Sequence, residues 1–192
     1  MEFRDVVRNR RSIRRFSPER PDPALIDELV DIARRVPTAG FSQGIDFLVV
    51  DSPEELATVW EVGKQDQPDD GPPVLVFVFS DPERYLSRYR EGDKAKFGLG
   101  AADAWRIRFW DVDASMAAMQ LQLAAVDAGI DTWFFGMGDA EDGIRVALGV
   151  PEDRNLIGII ALGYRAEDEA PIGSAVSRRR RPLDEQLHRN RW

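Results

Sequence analysis

The chain has 192 residues, 43% of them hydrophobic and 31% charged, and 34 acidic against 26 basic residues give a formal net charge of −8. It has no cysteine, which excludes disulfides, thiolate catalysis and cysteine-ligated metals, and its single histidine, His188, leaves no histidine metal cluster. The acidic balance argues against a nucleic-acid partner. No apolar run approaches the ~20 residues of a membrane span, and the polar start predicts a cytoplasmic protein with no secretory signal.

The length suits a single domain over residues 1–192. Phe3, Val6 and Val7 have helical spacing and predict a helix to Asn9. Pro18 and Pro21 break the pattern, and Asp22 followed by Pro23 reads as a capped helix start. Leu25, Ile26, Leu29, Val30, Ile32 and Ala33 form that helix's stripe, and Pro37 ends it. Thr38 to Gly44 is a turn-rich loop, and Phe47 to Val50 a short strand. Ser52-Pro53-Glu54-Glu55 is a capping box that opens another helix.

Residues 63–73 read as a loop. Val74 to Phe79 is a continuous β-rich apolar run, as in a strand buried on both faces. Asp81-Pro82 ends it. Residues 84–110 mix aromatics, charges and glycines, and predict a loop with helical pieces that covers a site. Val112 to Ala128 is apolar nearly all round, which predicts a helix buried on every side, in part against another subunit. Thr132 to Phe135 is a strand, Asp139 to Leu148 a short helix, and Asn155 to Tyr164 a long strand. The tail over 166–192 has no core of its own and ends on Trp192. Alternating helices and strands predict a mixed sheet flanked by helices, an α+β fold in three layers.

Four constellations carry chemistry. Arg10-Arg11-Ser12-Ile13-Arg14 offers guanidinium groups and a hydroxyl suited to a phosphate, although a solvated basic patch has the same composition. Pro37 to Gly44 is small and glycine-rich, open to close backbone approach. Phe135-Gly136-Met137-Gly138 ends a strand in glycines, where ligands commonly sit in α/β sheets. Arg178 to Arg181 is a second basic run, which alone reads equally as a flexible tail. Together they suit a phosphorylated planar cofactor held between segments distant in sequence.

At this point the chain resembles the nitroreductase family of FMN enzymes. Arg10-Arg11-Ser12-Ile13-Arg14-Arg15-Phe16 is similar to that family's opening Arg-Arg-Ser-x-Arg-x-Phe signature, and Pro37 to Gln43 to its Pro-Ser-x-x-Asn-x-Gln-Pro loop. Leu148-Gly149-Val150-Pro151-Glu152, Leu162-Gly163-Tyr164 and the ending Arg-Arg-Pro-Leu-Asp-Glu resemble it too. The resemblance implies a cofactor site of Arg10, Arg11, Ser12, Arg14, Thr38, Gln43, Phe135, Gly136, Met137, Gly138, Arg179 and Arg181. It implies FMN as cofactor, NAD(P)H as donor, and ping-pong hydride transfer to a small nitro or quinone acceptor. No side-chain acid or base and no metal is then required. It also implies a homodimer with FMN at the interface, a long central dimer helix, and C-terminal arms that cross to the partner. Phe41 stands where the family has asparagine, Gly44-Ile45 replaces a proline–aromatic pair, and only Lys94 and Lys96 approximate the family's mid-chain pair near the flavin pyrimidine. These departures keep two alternatives open: a specialised oxidase or dehydrogenase role on a flavin or deazaflavin, and a non-catalytic cofactor-binding role.

Overall fold

The computed structural model describes residues 1–63, 71–171 and 174–192, without the side chains of 174 and 175. Of the loop expected over 63–73, residues 64–70 therefore lie outside the described residues. Four strands, β1 (Ile45–Val50), β2 (Val74–Ser80), β3 (Asp131–Phe135) and β4 (Asn155–Gly163), form one sheet in the order β1-β2-β4-β3. All three strand pairs are antiparallel. The parallel contribution is a single bridge, Ser12 to Thr132, on the outer side of β3.

Period-2 alternation sorts the strands between two cores. Leu75, Phe77 and Phe79 of β2, with Ile159 and Ala161 of β4, pack on one face with Ile13, Phe16, Leu56, Val59, Trp60 and Ile144. Val74, Val76 and Val78, with Ile160 and Leu162, pack on the other with Ile26, Leu29, Ala114, Ala118 and Leu121. Helices α3 (Pro53–Val62) and α6 (Glu141–Ala147) thus cover the first face, and α2 (Pro23–Ala33) and α5 (Phe109–Asp127) the second. Every residue of β2 is buried. Two helical layers account for that continuous apolar run without a parallel neighbour.

Local chemistry sets the helix starts. The Asp22 carboxylate accepts from Ala24 N at 2.9 Å, and Ser52 Oγ accepts from Glu55 N at 3.2 Å, each with proline in the first turn. The same device recurs at Asp81, whose carboxylate accepts from Arg84 N at 3.3 Å and opens α4 (Pro82–Arg90). Residues 84–110, expected as a loop with helical pieces, therefore begin within a regular helix. Short 3₁₀ turns follow at Ala95–Phe97 and Ala102–Ala104. Tyr85, Trp105 and Trp110 form a third buried cluster there.

The long helix α5 starts a turn earlier than predicted and is not buried on every side. Val112, Met116 and Met119 are exposed at helical spacing. Met116 and Met119, with α1 (Phe3–Asn9) and Ile32, border an apolar groove of about 630 Å³ lined also by Val36 and Leu123. The tail from Val176 on is exposed, with Leu183, Leu187 and Trp192 open to solvent and His188 stacked on Trp192 at 4.3 Å. Among the described residues no helix is long and apolar enough to cross a membrane.

Candidate functional site

The N-terminal arginine run is laid along the outer side of β3. Ile13 and Phe16 are buried, Ile13 N donates to Thr132 O at 3.0 Å, and Ala166 N donates to Arg15 O at 3.1 Å. These anchors leave the intervening side chains at the surface, and Ser12 is exposed. The Arg14 guanidinium lies over the Trp133 ring, 5.5 Å from its centroid, within cation–π range. Trp133 in turn stacks on Phe135 at 4.3 Å, and Phe135 lies parallel to Trp60 at 6.5 Å. Arg15 is engaged by Asp168 at 2.9 Å, and Arg14 N donates to Glu169 Oε1 at 3.2 Å. The segment following β4 is thereby tied to the run.

Arg10 is half-buried where α1 ends. That burial, followed by the like charges of Arg11 and then Arg180, holds its guanidinium below the ordinary arginine pKa. Arg180, from the other end of the sequence, adds a weaker repulsion, so the second basic run comes near enough to Arg10 for its charge to be felt. Arg10, Arg11 and Arg180 carry no ion pair among the described residues, although Arg11 donates to the carbonyls of Arg8 and, at 2.9 Å, Arg10. Arg181 turns instead to Glu185, with Nε 3.3 Å from its carboxylate and Nη2 2.8 Å from its carbonyl. Arg179 is exposed. Of the second run, it is Arg180 whose charge is felt at Arg10.

The turn after β3 is divided. Gly136 and Gly138 are exposed, with no heavy atom within 4 Å of a Cβ added at either, and Gly138 has φ +55. The Met137 side chain, expected at the cofactor, is buried in the core beside Trp60. Phe135 is half-buried on the same face.

Loop 38–44 is tightly constrained. Gly40, Phe41 and Gln43 all have positive φ, +65, +57 and +53, a conformation costly for the two non-glycine residues. Thr38 Oγ1 accepts from Gln43 N at 3.1 Å, Ser42 Oγ donates to Ala39 O at 2.7 Å, and Arg88 Nε donates to Gly40 O at 2.9 Å. Ala39 N donates at 2.8 Å to Asp113 of α5, a carboxylate only 2% exposed. The Tyr85 hydroxyl donates to the same oxygen at 2.8 Å, and burial first and Asp113 second push its pKa well above the ordinary tyrosine value. Sequence reading missed Asp113 and Tyr85. The signal was an acidic residue inside an otherwise apolar helix.

The pairings Ile45–Ser80, Ser80–Asn155 and Phe135–Ile159 put loop 38–44 and the Phe135–Gly138 turn at one end of the sheet. They lie at opposite edges, however, because β1 and β3 are the outer strands. Three strand spacings separate them, roughly 14 Å. One chain therefore lays the N-terminal arginine run on β3 and keeps Thr38 and Gln43 apart from it.

The nitroreductase family model matches residues 7–164. A curated relative from Methanothermobacter thermautotrophicus, whose name assigns it to the NADH dehydrogenase/NAD(P)H nitroreductases, is 28% identical over 171 residues, 88% of this chain and 80% of the relative. An NADPH-dependent oxidoreductase of Staphylococcus saprophyticus is 23% identical, covering 98% of this chain and 73% of the relative. A nitroreductase family protein of Streptococcus pneumoniae superposes with a TM-score of 0.76 at 21% identity, over 98% of this chain and 100% of that one. A nitroreductase from Exiguobacterium sibiricum, solved in complex with FMN, gives 0.76 at 22% identity over 99% and 98%. The match of the family model to most of the chain, on this three-layer fold with its paired arginine runs, establishes that the protein belongs to the nitroreductase family.

Proposed function

We propose that the protein is an FMN-dependent oxidoreductase that uses NAD(P)H to reduce a small organic acceptor. The observation that carries this reading is that Arg10 is half-buried beside Arg11 and within reach of the charge of Arg180, with no carboxylate paired to any of the three among the described residues. Guanidinium groups brought together at such a cost in mutual repulsion call for an anion, and a phosphate takes bidentate hydrogen bonds from them. Ser12 adds a hydroxyl beside them, Arg14 a cation over Trp133, and the exposed backbone of Gly136 and Gly138 an open approach at the end of β3. In this reading Arg180 takes the role expected of Arg179. Bound FMN supplies the two-electron chemistry between NAD(P)H and acceptor, while the protein binds, orients and excludes water.

The purified protein is expected to be yellow and to hold FMN. Arg10→Ala and Arg180→Ala are expected to weaken FMN binding by about 1–3 kcal/mol each, the scale of a charge-assisted hydrogen bond, and Arg179→Ala by less. Colourless protein that takes up no FMN from excess would sink the cofactor reading. Unchanged affinity in the Arg10 and Arg180 variants would sink the phosphate assignment alone. A specialised oxidase or dehydrogenase role is the second reading. It is favoured by Phe41, 75% exposed where the family has asparagine. It predicts FMN binding without NAD(P)H turnover on nitroaromatic or quinone acceptors.

The working unit in this proposal is a homodimer. Loop 38–44 lies across the sheet from the arginines, and a second copy supplies a route by which Thr38 and Gln43 meet the cofactor. The open stripe of Val112, Met116 and Met119 on α5, with Phe3 and Ile32, is the apolar face such a partner would cover. The exposed arm with Leu183, Leu187 and Trp192 has the composition of a segment that packs on another chain. Met116→Glu with Met119→Glu is expected to give a monomer by light scattering and to lose FMN. A wild-type monomer carrying a full complement of FMN would refute the composite site.

A further inference from the structure

We infer that Trp133 is a positioning residue: its ring carries the Arg14 guanidinium, and it thereby sets how tightly the reduced cofactor is held relative to the oxidised one. This role rests on the flavin reading above.

Arg14 is held differently from its neighbours in the run. Arg15 is paired with Asp168 at 2.9 Å, and Arg11 donates to main-chain carbonyls, at 2.9 Å to that of Arg10. The Arg14 side chain has no ion pair among the described residues. Glu169 takes the Arg14 backbone N–H at 3.2 Å, and the contact of its side chain with Ser12 O is long, 3.4 Å. The Trp133 ring holds the guanidinium, 5.5 Å from its centroid. A carboxylate in its place would use up two N–H donors and cancel the charge. A π face attracts the cation and leaves the in-plane donors and the charge available to a ligand. A tryptophan at position 133 therefore fixes a cation without neutralising it.

The ring is itself held. Residues two apart in a strand share a face, so Trp133 and Phe135 of β3 lie side by side. Their rings stack at 4.3 Å and 20°. Phe135 is parallel to Trp60 of α3, at 6.5 Å and 1°, and Trp60 is buried. Trp133 is thus the outer end of a three-ring ladder that runs into the core between the sheet and α3. Met137 joins that core from the turn after β3. One aromatic wall therefore sets both Arg14 and the Phe135–Gly138 turn, two of the pieces that the flavin reading brings to the cofactor.

Reduced FMN carries a negative charge on its ring that the oxidised form lacks. A cation fixed in the site stabilises that charge at no cost in reorganisation, whereas an arginine released from Trp133 would have to give up side-chain freedom to do so.

The test is an anaerobic redox titration of the FMN-loaded protein against a reference dye, with the dissociation constant of oxidised FMN measured alongside. It compares wild type with Trp133→Leu, Trp133→Phe, Arg14→Met and the double variant Trp133→Leu/Arg14→Met. Trp133→Leu is expected to weaken the hold on reduced FMN about fivefold more than the hold on oxidised FMN, the scale of a partly exposed cation–π contact. That ratio lowers the two-electron potential of the bound cofactor by about 20 mV, at ~30 mV per tenfold. Arg14→Met is expected to lower it at least as far, and the double variant no further than Arg14→Met alone, because both changes act through one contact. Trp133→Phe, with a smaller ring, is expected to fall between wild type and leucine, and it carries the test if the leucine variant does not fold. A potential that falls in Arg14→Met but stays at the wild-type value in both Trp133 variants would overturn the positioning role. So would a Trp133→Leu shift that persists in full in the Arg14→Met background, or variants that weaken both forms of the cofactor equally. In each of these cases FMN is still bound and the flavin reading stands. Wild-type protein that takes up no FMN would reject that reading and the role of Trp133 with it.

Discussion

Asp113→Ala is expected to destabilise the protein by about 3–5 kcal/mol, lowering the melting temperature by roughly 6–20 °C at ~2–4 °C per kcal/mol for this chain length. Asp113 is 2% exposed and one of its oxygens accepts from both Tyr85 Oη and Ala39 N, each at 2.8 Å. Truncation leaves two buried donors without an acceptor, each costing about 1–3 kcal/mol, and a small void besides. Asp113→Asn keeps an acceptor oxygen for both donors and gives up only the charge, so it is expected to cost about half as much. Tyr85→Phe removes one donor and leaves the other satisfied. The double variant Tyr85→Phe/Asp113→Ala should therefore be less destabilised than the sum of the singles, because both act on one network. Thermal denaturation of the four variants checks this. Additive losses, or equal losses for alanine and asparagine, would show that the shared hydrogen bonds are not the source of the effect. Since the same carboxylate holds loop 38–44, any loss of FMN binding in Asp113→Asn would be read separately, at a temperature where that variant is folded.

The second large effect is expected at Gly44, the position where the family has proline. A Cβ there would sit 2.6 Å from Tyr85 Cε2 and 2.7 Å from the Asp81 carbonyl oxygen. Neither neighbour yields cheaply. Tyr85 is buried and tied to Asp113, and Asp81 donates its N–H to Gly44 O at 3.0 Å, caps α4 and takes Arg154 Nη2 at 3.0 Å. Gly44→Ala is expected to cost about 3 kcal/mol, at the upper end for overpacking because one clash is with backbone. Gly92→Ala, which meets nothing within 4 Å, is the control and is expected to stay within about 0.5 kcal/mol of wild type. Equal melting temperatures for the two variants would show that the contact at Gly44 relaxes freely. The departure from the family's proline thus has a structural cause: the bulky Tyr85 ring occupies the space that a side chain would need.

Elements that depend on neighbours a few residues away were legible in the chain. Asp22-Pro23 and Ser52-Glu55 begin helices because a side-chain oxygen reaches a backbone N–H two or three residues on, a relation that needs no tertiary partner. The unbroken apolar run of β2 marked a strand with no solvent face, and the alternation of helices and strands marked three layers. The same cap-and-proline signal stood at Asp81-Pro82 and begins α4, but it reads equally as a strand terminator, and the charge-rich, weakly apolar sequence after it hid the helix. In the site, the arginine run before Ile13 was visible as composition, and its partner near the C-terminus as a second charge cluster.

What only the tertiary structure decided is which distant groups meet. The antiparallel order β1-β2-β4-β3 follows from pairing across long loops, which composition does not encode, and it puts the Thr38–Gln43 loop across the sheet from the arginines. Four consecutive arginines are chemically equivalent in sequence. The path of the chain alone turns Arg181 toward Glu185 and leaves Arg180 near enough for its charge to be felt at Arg10. Asp113 and Tyr85 are 28 residues apart, and each is unremarkable alone; their role arises because burial makes one unsatisfied donor as costly as a core cavity. By itself, then, the sequence determined most of the elements, the three-layer class and the two basic runs, all properties of local spacing and residue type. Burial and long-range pairing, which depend on the whole chain closing on itself, decided which arginine faces which, what clamps the loop, and where an apolar face is left open.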